Sequence, residues 1–157
     1  MENEHTHRVV AWWNAGKAGL VKSESAPNAI HFAAPPQFGG LEGRWSPEDL
    51  LLSALAGCFT TTFRALADYS QFEYIDLEVA VKGTVGKAQS GYEFSEIVLR
   101  PTLTISDAAE QFRADALLEK AKRLCLVSRA IATPQKFEPR VRTNFRVEAV
   151  EPVSAGD

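Results

Sequence analysis

Residues 46–66 constrain this chain more than any other stretch. Ser46-Pro47-Glu48-Asp49 reads as a helix start, with serine at the N-cap, proline at the first helical position and Asp49 at the third. The two acids sit favourably at the positive end of the helix dipole. Leu51, Leu52, Leu55, Cys58, Phe59, Thr62, Phe63 and Leu66 then recur at three- and four-residue spacing. The other face carries Ala, Ser, Thr and Gly, and no charged residue falls between Leu50 and Phe63. Such a helix is expected to be central and buried nearly all round. The longest apolar run, residues 50–59, is interrupted by Ser53 and is about half the ~20 residues that span a bilayer.

The rest of the chain reads as strands and one more long helix. Residues 8–13, 19–24 and 29–33 are short strands, with Asn14-Ala15-Gly16 and Ala26-Pro27-Asn28 supplying turn chemistry. Residues 35–43, Pro-Pro-Gln-Phe-Gly-Gly-Leu-Glu-Gly, form a loop without regular structure. Two alternating runs, 74–85 and 92–105, make a hairpin around a loop at 86–91, and Pro101 predicts an edge strand or a bulge in the second. A second helix starts at Asp107 with Glu110 three residues on, a capping box by type. Its apolar face is Phe112, Ala116, Leu117, Ala121, Leu124 and Cys125, and 127–131 continue as a short helix before Pro134. A last strand covers 141–150. The order β-β-β-α-β-β-α-β is that of an α+β fold. With no repeat, low-complexity tract or dividing linker, the expectation is one domain over 1–157.

With 45% hydrophobic and 24% charged residues, the chain has a globular composition and can bury a core without staples. A net charge of −3 argues against nucleic acid as a partner. The start MENEHTHR lacks a basic segment followed by an apolar one, so no membrane span and a reducing cytoplasm are expected. In that compartment disulfides are rare, and those that form are usually catalytic or sensing.

Two cysteines therefore stand out. Cys58 lies midway along the apolar helix and Cys125 at the end of the second. Each has a plain structural reading, a small buried residue that permits close packing, as beside Ala54 and Gly57. Each also has a redox reading, because helices of one core can bring two thiols within disulfide reach. A reactive thiol needs to be a partly accessible thiolate near positive charge. His5, His7 and His31 show no metal-ligand pattern, so no metal or other cofactor is expected. Trp12, Trp13 and Trp45 read as core and interface anchors, and no G-x-S-x-G elbow supports a serine hydrolase.

Ser46-Pro47-Glu48-Asp49-Leu50-Leu51, then Ala56-Gly57-Cys58-Phe59, and later Cys125-Leu126-Val127-Ser128 resemble the osmotically inducible protein C and organic hydroperoxide resistance family (OsmC/Ohr) over nearly the full chain. Arg44-Trp45 before the Pro-Glu looks like the general OsmC-like branch. The resemblance implies two central helices wrapped by sheets in an intertwined homodimer. It implies a thiol-dependent peroxidase in which Cys58 attacks a hydroperoxide and Cys125 resolves the sulfenic acid as a disulfide. A dithiol, in the family often a lipoyl group, then regenerates the pair. It further implies a glutamate holding an arginine near the thiolate. Glu48 matches the glutamate, which alone also reads as a dipole-favoured carboxylate. Arg44 is the arginine chosen, with Arg8 and Arg129 as fallbacks; Arg44 also reads as a solvated loop cation.

Ten helical positions separate Glu48 from Cys58, about 15 Å of rise. Either the helix breaks between them, or Glu48 serves the Cys58 of a second subunit, which is the reading favoured. Leu126 replaces the proline usual after the second cysteine, and Lys17 and Gly19 depart from the peroxide-specialised pattern, which leaves the substrate open. Two other classes remain: a stress-associated small-ligand binder lined by Leu55, Phe59 and Phe63, and a hot-dog acyl-thioester hydrolase, whose usual order has a single central helix.

Overall fold

The computed structural model describes residues 4–13 and 16–144. By contacts the chain divides into two compact units, Met1–Ala54 and Leu55–Asp157, and the α+β order expected from the sequence is present across them.

The first unit is an antiparallel meander of β1 (Val9–Trp13), β2 (Ala18–Ser23) and β3 (Ile30–Ala33). Gly19 in β2 is required: a Cβ there would meet the Phe32 ring and the Trp12 carbonyl oxygen at 2.7 Å. The tryptophans are not core residues here. Trp12, Trp13 and Trp45 are each about half exposed or more, and Ala33 is the buried hydrophobic residue of the sheet. Trp13 does reach Phe32, ring centres 6.3 Å apart. The Pro-rich segment is also more regular than expected, with a 3-10 turn over Pro36–Phe38. Gly40 closes that turn, where any Cβ would collide with the Ala34 carbonyl oxygen. The Ala33 N–H then donates to the Trp45 carbonyl (2.9 Å), which leads the chain into α1 (Pro47–Tyr69). The predicted cap forms in full: the Asp49 N–H donates to Ser46 Oγ (3.0 Å), while the Ser46 N–H and hydroxyl donate to Asp49 Oδ2 at 2.9 and 2.8 Å.

The second unit takes α1 from Leu55 onward. It adds β4 (Asp76–Ala88), β5 (Gly91–Ile105), α2 (Gln111–Leu124), α3 (Leu126–Ala130), β6 (Gln135–Phe137) and β7 (Arg140–Thr143). α1 is not buried all round. It buries one stripe at four-residue spacing, Leu55, Phe59, Phe63 and Ala67. By length and composition it could cross a membrane, but this stripe packs within the protein. Phe59 meets Phe137 of β6 at 5.9 Å, and Phe63 meets Tyr74 edge-on at 5.3 Å.

Antiparallel β4 and β5 run further than their sequence suggested, leaving Gln89 and Ser90 as the turn instead of a loop at 86–91, with Gly91 at φ +125°. β5 is central, not an edge. Its other side pairs in parallel with β6 and then β7. Pro101 is accommodated because that neighbour is interrupted opposite it. The Ile97 N–H donates to the Pro134 carbonyl and the Leu99 carbonyl accepts from the Glu138 N–H, so the donor missing at Pro101 falls at the break over 138–139. β6 was not foreseen, and β7 covers the start of the predicted last strand; 145–150 lie outside the described residues, as do Asn14 and Ala15.

Asp107 caps a 3-10 turn, accepting from the Ala109 N–H at 2.8 Å, and α2 begins only at Gln111. Glu110 pairs with Arg113 (2.8 Å) instead of closing a capping box. The buried face of α2 is Ala114, Leu117, Leu118 and Ala121, so Phe112, 85% exposed, and Leu124 point away from it. A 3.6-residue repeat fits both stripes, and Leu118 decides between them by filling the interior. Replacing fully buried Phe63 by Ala is expected to cost about 3–5 kcal/mol, while Phe112→Ala stays within about 0.5 kcal/mol; denaturant unfolding of both variants checks the pair.

Candidate active site

Three elements of the second unit meet around two free thiols. Cys58 adjoins Phe59 of the buried stripe on α1 and is itself half-buried. Cys125 is fully buried at the joint where α2 ends and α3 begins. There the backbone leaves the helix at ψ 111° and re-enters it one residue later, so α3 starts in a new direction with free amides in its first turn.

Those amides are divided between the sulfurs. The Val127 N–H donates to Cys58 Sγ at 3.5 Å. Leu126 N–H also faces Cys58, and Ser128 N–H faces Cys125. The two thiols interact, and each bears on the acidity of the other. The Thr62 hydroxyl reaches Cys58 too, but it also donates to the Cys58 carbonyl at 2.7 Å, and one proton serves one acceptor at a time.

These contacts separate the two acidities. Burial pushes the Cys58 thiol up, but the Val127 N–H, the Cys125 S–H, Thr62 and Leu126 together outweigh it, and the balance lies below the ordinary value of 9.0. Burial pushes Cys125 up. The Ser128 and Val127 amides oppose this, while its hydrogen bond to Cys58 and the charge there add to it, and the balance is above 9.0. The geometry therefore suits a Cys58 thiolate that accepts from a protonated Cys125.

Of the other expected site residues, Glu48, Arg44 and Arg8 lie in the first unit and Arg129 in the second, on α3. α1 is unbroken from Pro47 to Tyr69, so no interruption separates Glu48 from Cys58. Glu48 Oε2 is buried without a hydrogen-bond partner. Arg44 is exposed and makes no ion pair with Glu48 among the described residues. Arg8 is held by Glu24 at 3.0 Å, and the Arg129 side chain is exposed.

Sequence reasoning missed a group beside Cys125. Lys122 Nζ donates to Ser128 Oγ and to Gln135 Oε1 (2.8 Å), and Ser128 Oγ donates to the same Gln135 oxygen at 2.6 Å. A signal was available: Lys122 and Ser128 lie three residues before and after Cys125.

The family model described as OsmC-like protein matches residues 40–140. An uncharacterized protein of Bacillus subtilis, YmaD, is 27% identical over 135 residues, 83% of this chain and 89% of its own length. An OsmC-like protein of unknown function from Vibrio cholerae shares the fold with a TM-score of 0.77 at 18% identity, covering 87% of this chain and 99% of its own. An organic hydroperoxide resistance protein, OsmC, of Legionella pneumophila does so with a TM-score of 0.72 at 23% identity, over 90% and 100%. Its motifs, its fold and the match over residues 40–140 agree: this chain belongs to the OsmC-like protein family.

Proposed function

We propose that the protein is a cysteine-based peroxidase that reduces organic hydroperoxides. The observation that carries the reading is the thiol pair itself, a Cys58 sulfur surrounded by donors with Cys125 as one of them. The Cys58 thiolate attacks the terminal oxygen of the hydroperoxide, the O–O bond breaks, and the alkoxide takes a proton to leave as an alcohol. Cys58 is then a sulfenic acid. Cys125, having lost its proton, attacks that sulfur and expels hydroxide, which becomes water; the product is a disulfide. Two thiols and one hydroperoxide thus give one disulfide, one alcohol and one water. A dithiol such as a lipoyl group returns both sulfurs to thiols by exchange. The Legionella pneumophila protein of similar fold is named for hydroperoxide resistance, which agrees with this chemistry.

The working form in this reading is a homodimer of single-domain subunits in the cytoplasm, soluble and with no role for nucleic acid or membrane. Support comes from two features. The first unit leaves Trp12, Trp13 and Trp45 largely uncovered, and Glu48 keeps a buried oxygen without a partner. A guanidinium, Arg44 in our choice, supplies that partner and faces the Cys58 thiolate of the second subunit.

Mixing the reduced protein with cumene hydroperoxide consumes one equivalent with loss of both thiols. Cys58→Ser abolishes turnover, and Cys125→Ser stops at a sulfenic acid that dimedone traps on Cys58; full turnover by Cys58→Ser refutes the mechanism. Glu48→Gln slows peroxide consumption about ten- to a hundredfold, the worth of one charge-assisted hydrogen bond, while an unchanged rate removes Glu48 from the site. In Cys125→Ala, Cys58 loses a donor to its thiolate. Its alkylation profile then moves to higher pH, and iodoacetamide labelling at neutral pH slows by about threefold or more.

A further inference from the structure

Around Cys125 the chain closes a clamp that the attack of Cys58 on peroxide does not use. Lys122 stands on the last turn of α2, Ser128 on α3 and Gln135 on β6, and Cys125 is the joint between the first two. The Lys122 ammonium donates to Ser128 Oγ and to Gln135 Oε1 (2.8 Å). The Gln135 amide returns a hydrogen bond to the Ser128 carbonyl at 2.8 Å. Ser128 is buried, and while its hydroxyl is held in this way its backbone N–H faces the Cys125 sulfur. Lys122 has no carboxylate partner among the described residues; its acceptors are neutral oxygens. A half-buried ammonium without a counter-ion is an expensive way to hold a serine and a glutamine.

We infer that Lys122 is a positioning residue for disulfide formation: through Ser128 and Gln135 it fixes α3 beside Cys125, and its charge favours the Cys125 thiolate once Cys58 carries the oxygen. The inference rests on the peroxidase reading above and deepens its second step. In the reduced pair Cys125 keeps its proton because it is buried, and because the Cys58 thiolate accepts from it and repels a second negative charge. Oxidation of Cys58 to a neutral sulfenic acid removes the two restraints that come from Cys58 and leaves burial for a neighbouring charge to offset. The charge that then bears on Cys125 is that of Lys122, whose ammonium interacts with this sulfur. Other groups nearby do not take over this part. β6 presents neutral Gln135, its Lys136 is paired with Glu96 at 2.6 Å, and the Arg129 side chain of α3 is exposed. The proton Cys125 gives up and the hydroxide leaving Cys58 combine as water.

The test compares Lys122→Met and Lys122→Arg in two settings. In a rapid-quench single turnover with cumene hydroperoxide, Lys122→Met is expected to slow the oxidation of Cys58 less than the disulfide step that follows it. Its disulfide forms about tenfold more slowly near neutral pH, with the rate profile moved to higher pH. Lys122→Arg keeps the wild-type profile. In a Cys58→Ser background, the ultraviolet thiolate absorbance of Cys125 titrates at higher pH in Lys122→Met than with lysine or arginine at the position. Disulfide formation or Cys125 titration unmoved by Lys122→Met overturns the inference, as does slowing with an unshifted pH profile, which marks a merely structural lysine. If the wild-type protein does not react with hydroperoxide at all, the peroxidase reading falls, and the Cys125 titration still decides the role of Lys122.

Discussion

The contact between Cys58 on α1 and the first turn of α3 is the constraint on which the site depends. An amide 3.5 Å from Cys58 Sγ exists only because α2 ends at Cys125 and the chain restarts as α3 in a new direction. That joint does two things at once. It presents unpaired N–H groups to the sulfurs, and it places Cys125 itself among the donors. Without the break, residues 126–128 would bond their amides along one helix as Cys125 does to Ala121, and Cys58 would lose these donors, leaving a thiol that stays protonated.

What holds the joint is packing on either side of it. α1 is fixed by the Leu55, Phe59 and Phe63 stripe, with Phe59 against Phe137 of β6. α2 is fixed by Ala114, Leu117, Leu118 and Ala121. Burying the leucines and phenylalanines of these two faces contributes roughly 1.5–3 kcal/mol each, ample to hold a five-residue helix that has little stability of its own. β6 closes the arrangement, since Gln135 accepts from Lys122 and donates to the carbonyls of Ser128 and Ile131. The order of elements along the chain thus brings three remote segments, α1, the α2–α3 joint and β6, together around the two sulfurs.

Much of this was legible in the residues. The Ser46–Asp49 cap, the α1 periodicity, the β4–β5 hairpin and the two cysteines on separate helices are local signals, and each is local in the fold too. The failures involve long-range partners. Pro101 was read as marking an edge strand or a bulge because a proline forfeits one ladder bond, but that loss is absorbed by a neighbouring strand broken at 138–139, which no local pattern announces. Phe112 was placed inward because its spacing fits a helical face, though a second face one step round contains Leu118 and was the one buried. Trp12 and Trp13 were read as core and interface anchors; the core half of that reading fails, because both are about half exposed or more in the first unit. Lys122 was passed over because a lysine in the last turn of a helix is ordinarily a surface cation. Its burial follows from Gln135, ten residues beyond Cys125.

The account stands or falls on two sulfurs of one chain acting as partners. Peptide mapping of the unreduced protein after a single equivalent of cumene hydroperoxide measures this most directly. The prediction is one crosslinked peptide joining Cys58 to Cys125 within a single chain, two hydrogens lighter than the reduced pair. Recovery of Cys125 as a free thiol alongside Cys58 oxidised to sulfinic or sulfonic acid would contradict it.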